Sequence, residues 1–213
     1  GVFCLIFSTF SSLGISIIFT LINYFLIVVG VLIFHAAFTY SLLLTSLAKI
    51  NPFIFFSKMR EAIIFAFSTS SSSATMPVTL KTVEEKLGVD KSVSSFCIPL
   101  GTTINMDGTA IMQGVATVFI AQVYQVDLSM MEYLMVIITA TLASIGTAGV
   151  PGVGLIMLAM VLQQVGLPVE GIALIIGVDR LLDMLRTAVN VSGDATISCI
   201  VANSENQLSR KDF

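Results

Sequence analysis

The stretch Ile63-Ile64-Phe65-Ala66-Phe67-Ser68-Thr69-Ser70-Ser71-Ser72-Ser73-Ala74-Thr75-Met76-Pro77-Val78-Thr79-Leu80 is apolar at both ends and polar in the middle. Neither apolar arm has the roughly 20 residues that a helical membrane span requires. A Ser-rich loop outside a membrane would leave two strongly apolar flanks without an explanation. Two half-helices that enter from one face and meet at a polar tip explain both. Such a tip sits at membrane depth only when it is buried in protein or lines a watery cavity. The reading is therefore a re-entrant helical hairpin over residues 53–87.

The composition agrees with a bilayer setting. Hydrophobic residues make up 56% of the 213 positions, charged residues 11%, and the mean hydropathy is +0.99. Soluble domains carry about a quarter charged residues. The net charge of −3 and the lack of a basic stripe exclude a nucleic-acid partner. The chain opens in an apolar run, Gly1 to Phe10, with neither a Met nor a signal-peptide layout, and is expected to be a piece whose earlier spans are missing. Cys4, Cys97 and Cys199 lie too far apart for a metal cluster or a disulfide framework. The single His35 sits in an apolar run, as a packed or hydrogen-bonded group or as a proton relay. No His accompanies the Ser run, so a Ser/His nucleophile is not available and an enzyme is disfavoured.

Working outward, the pattern repeats. Residues 15–47 are long enough for one tilted span and end at a polar break with a helix-stopping Pro52. Residues 93–126 form a span broken near its middle by Asn105-Met106-Asp107-Gly108-Thr109. Residues 130–165 form a second hairpin with the tip Ser144-Ile145-Gly146-Thr147-Ala148-Gly149-Val150-Pro151-Gly152, and residues 170–202 form a long polar-striped helix. Hairpin then broken span is followed by hairpin then polar-striped span, an internal repeat. Thr102-Thr103-Ile104-Asn105 echoes Thr187-Ala188-Val189-Asn190, and each Asn precedes a Gly and an Asp. Interrupted segments at matching places in two halves point to a transport site near the membrane midplane. Lys49, Lys58 and Arg60 precede the first hairpin, Lys81, Lys86 and Lys91 follow it, and Arg210 and Lys211 lie in the tail. Residues 124–131 and 163–171 contain no Lys or Arg. The first hairpin is thus expected to enter from the cytoplasm and the second from outside. The fold class is an all-α membrane protein with two re-entrant hairpins and broken transmembrane helices in an inverted repeat.

Asp179, Asp183, Arg186, Asn190 and Asp194 fall within an arc of roughly 80° on the last helix. Ionisable groups at bilayer depth are costly and must face protein, water or ligand. Asp183 and Arg186, three apart, can neutralise each other. Alternatively, Arg186 offers a planar fork for a carboxylate, Asp183 accepts from an ammonium, and Thr187 and Asn190 add neutral hydrogen bonds. Half-helix N-termini at the two tips suit a substrate carboxylate. The glycines at 146, 149, 152 and 154 allow close backbone approach and make the second tip a candidate gate. Asp107, Asp194, Asn105 and Asn190 are oxygen donors beside expected helix breaks, which favours a hard cation. Asp107-Gly108 is also an ordinary turn pair.

Four motifs, taken in order, resemble the dicarboxylate/amino acid:cation symporters, a family that includes the glutamate/aspartate transporters. They are residues 71–79 (Ser71 to Thr79), 105–109 (Asn105 to Thr109), 144–152 (Ser144 to Gly152) and 183–194 (Asp183 to Asp194), and the resemblance covers about residues 50–202. It implies a homotrimer that moves a transport domain, residues 51–205, like an elevator against a scaffold. Residues 1–50 look like the end of one scaffold helix and one full scaffold span, and 206–213 like a cytoplasmic tail. The resemblance implies substrate contacts at Ser72, Thr109, Val150, Gly154, Asp183, Arg186, Thr187 and Asn190. It implies one sodium site at Gly101, Asn105, Asn190 and Asp194, a second at Thr103, Ser144, Ile145 and Thr147, and part of a third at Asn105 and Asp107. A further Arg usual in the family is replaced here by Ser70 or Met184. Arg180, one turn before Met184, is the candidate to compensate, and the change bears on the coupling ion more than on the substrate. The expected activity is sodium-coupled uptake of glutamate or aspartate across a plasma membrane, or a bacterial inner membrane. The alternatives are a proton-coupled or C4-dicarboxylate carrier of the same family, and a channel or structural membrane protein.

Overall fold

The computed structural model describes residues 16–209, and among them the architecture is helical apart from one antiparallel bridge, Val89 to Leu208. The end of a preceding helix, Cys4, Arg210 and Lys211 lie outside the described residues. The first rod begins as α1, Ser16–Phe34. It continues without a break in handedness through a π-helical segment, His35–Tyr40, one α turn, Ser41–Leu43, and a second π-helical segment, Leu44–Ala48. From Phe19 to Ala48 it is 30 residues long, with a mean hydropathy of 2.3 over its most apolar 18-residue stretch, long and apolar enough to cross a membrane. Lys49 stops it in the left-handed region at φ 55°. The side chain of Asn51 then accepts from Phe53 N and Pro52 fills the first helical position, so the next helix starts at once.

That helix is α2, Pro52–Thr69, and it packs on α3, Ser72–Glu85. At 18 and 14 residues the two reach only about 27 and 21 Å. The turn between them is built locally. Ser70 takes φ 52°, and the Ser71 hydroxyl accepts from Ala74 N to cap α3. The buried face of α2 carries Phe55, Met59, Ala62 and Ala66, spaced one turn apart. The buried face of α3 is made of hydroxyls, Ser72, Thr75, Thr79 and Thr82, of which Thr75 and Thr79 bond back to the carbonyls four residues earlier.

Asp90 caps α4, Lys91–Ile104, which ends at extended Asn105. After Met106 the chain turns helical again as α5, Asp107–Val123. A capping box between Ser129 and Glu132 starts α6, Met130–Ile145. Residues 146–152 are irregular, and α7 spans Val153–Gln164. A 3₁₀ turn, Val169–Gly171, leads into α8, Ile172–Ser204, whose 33 residues reach about 50 Å. Each helix boundary lies within a few residues of its sequence reading, shifted where a capping side chain sets the start.

Helix α8 is the hub. One half lies in a cluster with Leu21, Tyr24, Val28 and Leu32 of α1, Met112 and Ile120 of α5, and Leu158 and Leu162 of α7. The other half joins Leu44 and Ala48 with Phe55, Met59, Val83 and Ile98 through Val191, Ala195 and Cys199. The first rod belongs to both clusters. One stripe of the rod, Leu21, Tyr24, Val28, Leu32, Tyr40, Leu44 and Ala48, with Ile50 just after it, is buried in these clusters, so the rod packs on the helices that follow residue 50. The outer surface carries large apolar groups, including Phe53 on α2, Met130 and Leu142 on α6 and Ile156 on α7.

A methyl added at Gly171 would lie 2.6 Å from Ile120 Cγ2 and 3.3 Å from Tyr124 Cε2. Gly171→Ala in the full-length protein is expected to cost about 1–3 kcal/mol, seen as a lower thermal unfolding midpoint in detergent.

Candidate functional site

Two chain breaks face the middle of α8. The interruption between α4 and α5 points the Asn105 amide at α8, where Nδ2 donates to Asp194 Oδ1 at 2.8 Å and lies 3.2 Å from the Asn190 carbonyl. Asn190 replies with its side chain: Oδ1 accepts from Gly108 N at 2.8 Å, and Nδ2 lies 3.2 Å from Met106 Sδ and 3.5 Å from Thr109 Oγ1. Gly101 keeps α4 close, since a Cβ there would sit 2.6 Å from Asp194 Oδ1. Asp194 is 2% exposed and has no cationic partner among the described residues. A buried carboxylate with no cation beside it, next to side-chain amides that also carry oxygen donors, has the chemistry that a small hard cation takes. Gly101, Asn105, Asn190 and Asp194 thus meet in space.

Asp107, at the first position of α5, is held from two sides. Its Oδ1 accepts from Gly108 N at 3.1 Å, the local turn bond. Its Oδ2 accepts from Tyr40 OH at 2.5 Å and from His35 Nε2 at 2.8 Å. His35 is therefore hydrogen-bonded, to a residue the sequence had placed in an ion site.

A second cluster lies nearer the start of α8. The Arg186 side chain is 1% exposed, donating through Nη1 to Asp179 Oδ1 at 2.8 Å and through Nη2 to Asp183 Oδ1 at 2.9 Å. The internal pairing of Asp183 with Arg186 is present, and Asp179 adds a second anion. The other oxygen of Asp183 accepts from Gly152 N at 3.0 Å, which ties the tip between α6 and α7 to α8. The two tips also touch. The Gly149 carbonyl accepts from the Ser71 hydroxyl at 2.7 Å and from Ser73 N at 3.1 Å. Gly154 lies against Thr109, Met112 and Arg186, where a Cβ would be 3.5 Å from Arg186 Nη2.

Ser72, Thr109, Gly154, Asp183, Arg186, Thr187 and Asn190 are thus buried or nearly so around one region, while Val150 is 47% exposed. Of the second ion set, Ser144 and Thr147 are buried with their hydroxyls bonded to the Thr141 and Ala143 carbonyls of their own helix. The Thr103 side chain is exposed and bonded to the Pro99 carbonyl, and the Ile145 side chain is exposed. Arg180 is exposed and makes no ion pair among the described residues, so it does not join the buried cluster. Six positions before Arg186, it projects from another face of α8.

Several participants escaped the sequence reading. Asp179 was in the stripe without a role, although seven residues before Arg186 is two helical turns. Gln113, fully buried on α5, donates to the Gly154 carbonyl at 3.3 Å. Tyr40 gave no signal, because nothing in an apolar run marks a Tyr that faces a carboxylate 67 positions away.

Arg186→Ala leaves two carboxylates without their shared cation, and a loss of about 3–5 kcal/mol is expected. Arg180→Ala should leave the thermal midpoint of the full-length protein unchanged. Equal midpoints for the two variants would contradict this arrangement.

Comparison with known proteins accords with this architecture. The sodium:dicarboxylate symporter family profile matches residues 1–204. The chain is 47% identical over 187 residues to excitatory amino acid transporter 1 of Rattus norvegicus, covering 87% of this chain and 34% of that protein. It is 47% identical over 190 residues to excitatory amino acid transporter 3 of Oryctolagus cuniculus, covering 89% of this chain and 36% of that protein. An excitatory amino acid transporter of Caenorhabditis elegans is 47% identical over 178 residues, 84% of this chain and 35% of its own length. The chain therefore spans about a third of the length of these relatives. These are transporters and not enzymes, and the chain belongs to the sodium:dicarboxylate symporter family.

Proposed function

We propose that the full-length protein is a secondary active symporter that accumulates an acidic amino acid, glutamate or aspartate, with sodium as the co-transported cation. The observation that carries this reading is the buried Arg186 clasped by Asp179 and Asp183 directly beside the tip glycines. A guanidinium fork is matched to a carboxylate. In the ligand-free arrangement the protein's own carboxylates hold that fork. A substrate carboxylate takes their place on Arg186, and Asp183, released from the pair, accepts the substrate ammonium. Because Asp183 also accepts from Gly152 N, that exchange loosens the second tip from α8 and makes it the gate. Ser72, Thr109, Val150, Gly154, Thr187 and Asn190 complete the substrate site.

Sodium is cargo in this scheme. Gly101, Asn105, Asn190 and Asp194 form one site, Asn105 and Asp107 part of another, and Thr103, Ser144, Ile145 and Thr147 a third through backbone oxygens. The family's description as sodium:dicarboxylate symporters supports the ion and the acidic substrate, and the names of the relatives support an amino acid over a C4-dicarboxylate. The reading extends to a multi-pass protein of the plasma membrane, two re-entrant hairpins in an inverted repeat, a homotrimer, and elevator-type movement of a transport domain that includes residues 51–205.

Uptake of radiolabelled aspartate by the full-length protein, with sodium and with choline in its place, tests the reading. Sodium-dependent accumulation is expected, and Arg186→Ala should weaken aspartate binding by about 2–3 kcal/mol, the range for a lost charge-assisted hydrogen bond. Absence of both uptake and competition by aspartate and glutamate would sink it. Uptake without accompanying entry of radioactive sodium into liposomes would favour proton coupling instead.

A further inference from the structure

We infer that the π-helical segment His35–Tyr40 is a positioning device for Asp107. It turns two side chains of the long apolar rod onto one carboxylate oxygen and thereby sets the affinity of the ion site that Asp107 serves. The inference rests on the proposal that Asp107 is a sodium ligand.

The geometry is specific. His35 and Tyr40 are five residues apart. In a regular α-helix such residues project about 140° apart around the axis, and only one of them could face α5. Between them the rod is π-helical. Hydrogen bonding from i to i+5 places residues five apart roughly one turn apart on the same face. Both groups then reach the same atom: Tyr40 OH lies 2.5 Å and His35 Nε2 2.8 Å from Asp107 Oδ2. Their rings meet edge to face with centroids 4.8 Å apart. The Tyr40 hydroxyl is also 3.1 Å from the Val189 carbonyl of α8, so the same side chain spans the break and the hub helix. Gly193 clears the space, since a Cβ there would come 2.8 Å from Tyr40 OH and 2.6 Å from Asn105 Nδ2. One small residue thus lets the Tyr40 and Asn105 groups approach α8 together.

Two donors on Oδ2 fix the carboxylate's rotation and leave Oδ1 directed to its own turn, where Gly108 N is the neighbour. Groups that orient a metal ligand in this way change ion affinity when removed, by about tenfold or more. A π-segment is uncommon, and its occurrence opposite a helix break carrying a carboxylate is the pattern expected where a rod is re-aimed for function.

The test uses the full-length protein and measures aspartate uptake across a sodium series. Tyr40→Phe and His35→Leu are each expected to raise the half-maximal sodium concentration about tenfold. The aspartate half-saturation at saturating sodium stays that of the wild type. His35→Gln keeps an N–H donor and is expected to restore the wild-type sodium response. In the double variant the effects fall short of additive, because both act through one carboxylate. Thermal unfolding in sodium-free buffer reports folding independently, and sodium-dependent stabilisation supplies the affinity readout for any variant too slow in uptake. Wild-type uptake that ignores sodium, or an Asp107→Asn variant with the wild-type sodium response, overturns the ion-site reading itself. A sodium response lost in Asp107→Asn but unmoved in Tyr40→Phe and His35→Leu overturns this inference alone. So does a His35→Gln variant no better than His35→Leu.

Discussion

A guanidinium cannot be left alone in an apolar body, and much of this molecule is arranged around that constraint. Arg186 is 1% exposed in a chain with only 11% charged residues. Two carboxylates hold its fork, and both stand on its own helix, one and two turns back. The helix that carries all three groups, α8, is long and buried on several sides, and with the first rod it belongs to both apolar clusters. The remaining oxygen of Asp183 then becomes the anchor for a loop from a different part of the chain. Charge compensation inside one helix thus organises contacts between elements.

The second buried carboxylate follows another rule. Among the described residues Asp194 has no arginine beside it, and its neighbours are an amide and a glycine-lined approach from α4. Asp107 is steadied by a Tyr and a His supplied by the first rod. Within one fold, one set of acids is satisfied by a fixed cation and the other is left with neutral partners. That contrast separates the region suited to an organic anion from the region suited to a small cation.

Much of this was legible in the residues. The stripe on α8 follows from spacing alone, the break at Asn105 from turn-forming residues, and the two short helix pairs from apolar arms that are too brief to span. What spacing cannot supply is partnership across the chain. Nothing local says that the Gly149 carbonyl meets Ser71, that Gly152 meets Asp183, or that Asp179 rather than water completes the shell of Arg186. Arg180 stands outside the buried cluster around Arg186 for a related reason. Proximity along a helix is not a shared face, and the burial that distinguishes Arg180 from Arg186 is set by neighbours outside α8.

The small bridge between Val89 and Leu208 bears on the order in which the molecule is assembled. Asp90 N donates to the Gln207 carbonyl and Ser209 N to the Gly88 carbonyl, so the turn between α3 and α4 is sewn to the residues following α8. The two strips are about 120 positions apart. On a ribosome the turn is made before its partner, so the first helix pair and α4 must await the arrival of α8 before their junction is fastened. Closing so long a loop is entropically slow. A chain shortened before Leu208 would keep every fully buried side chain of the two clusters and still lose both the packing of Leu208 on one of them and the stitch that locks their register.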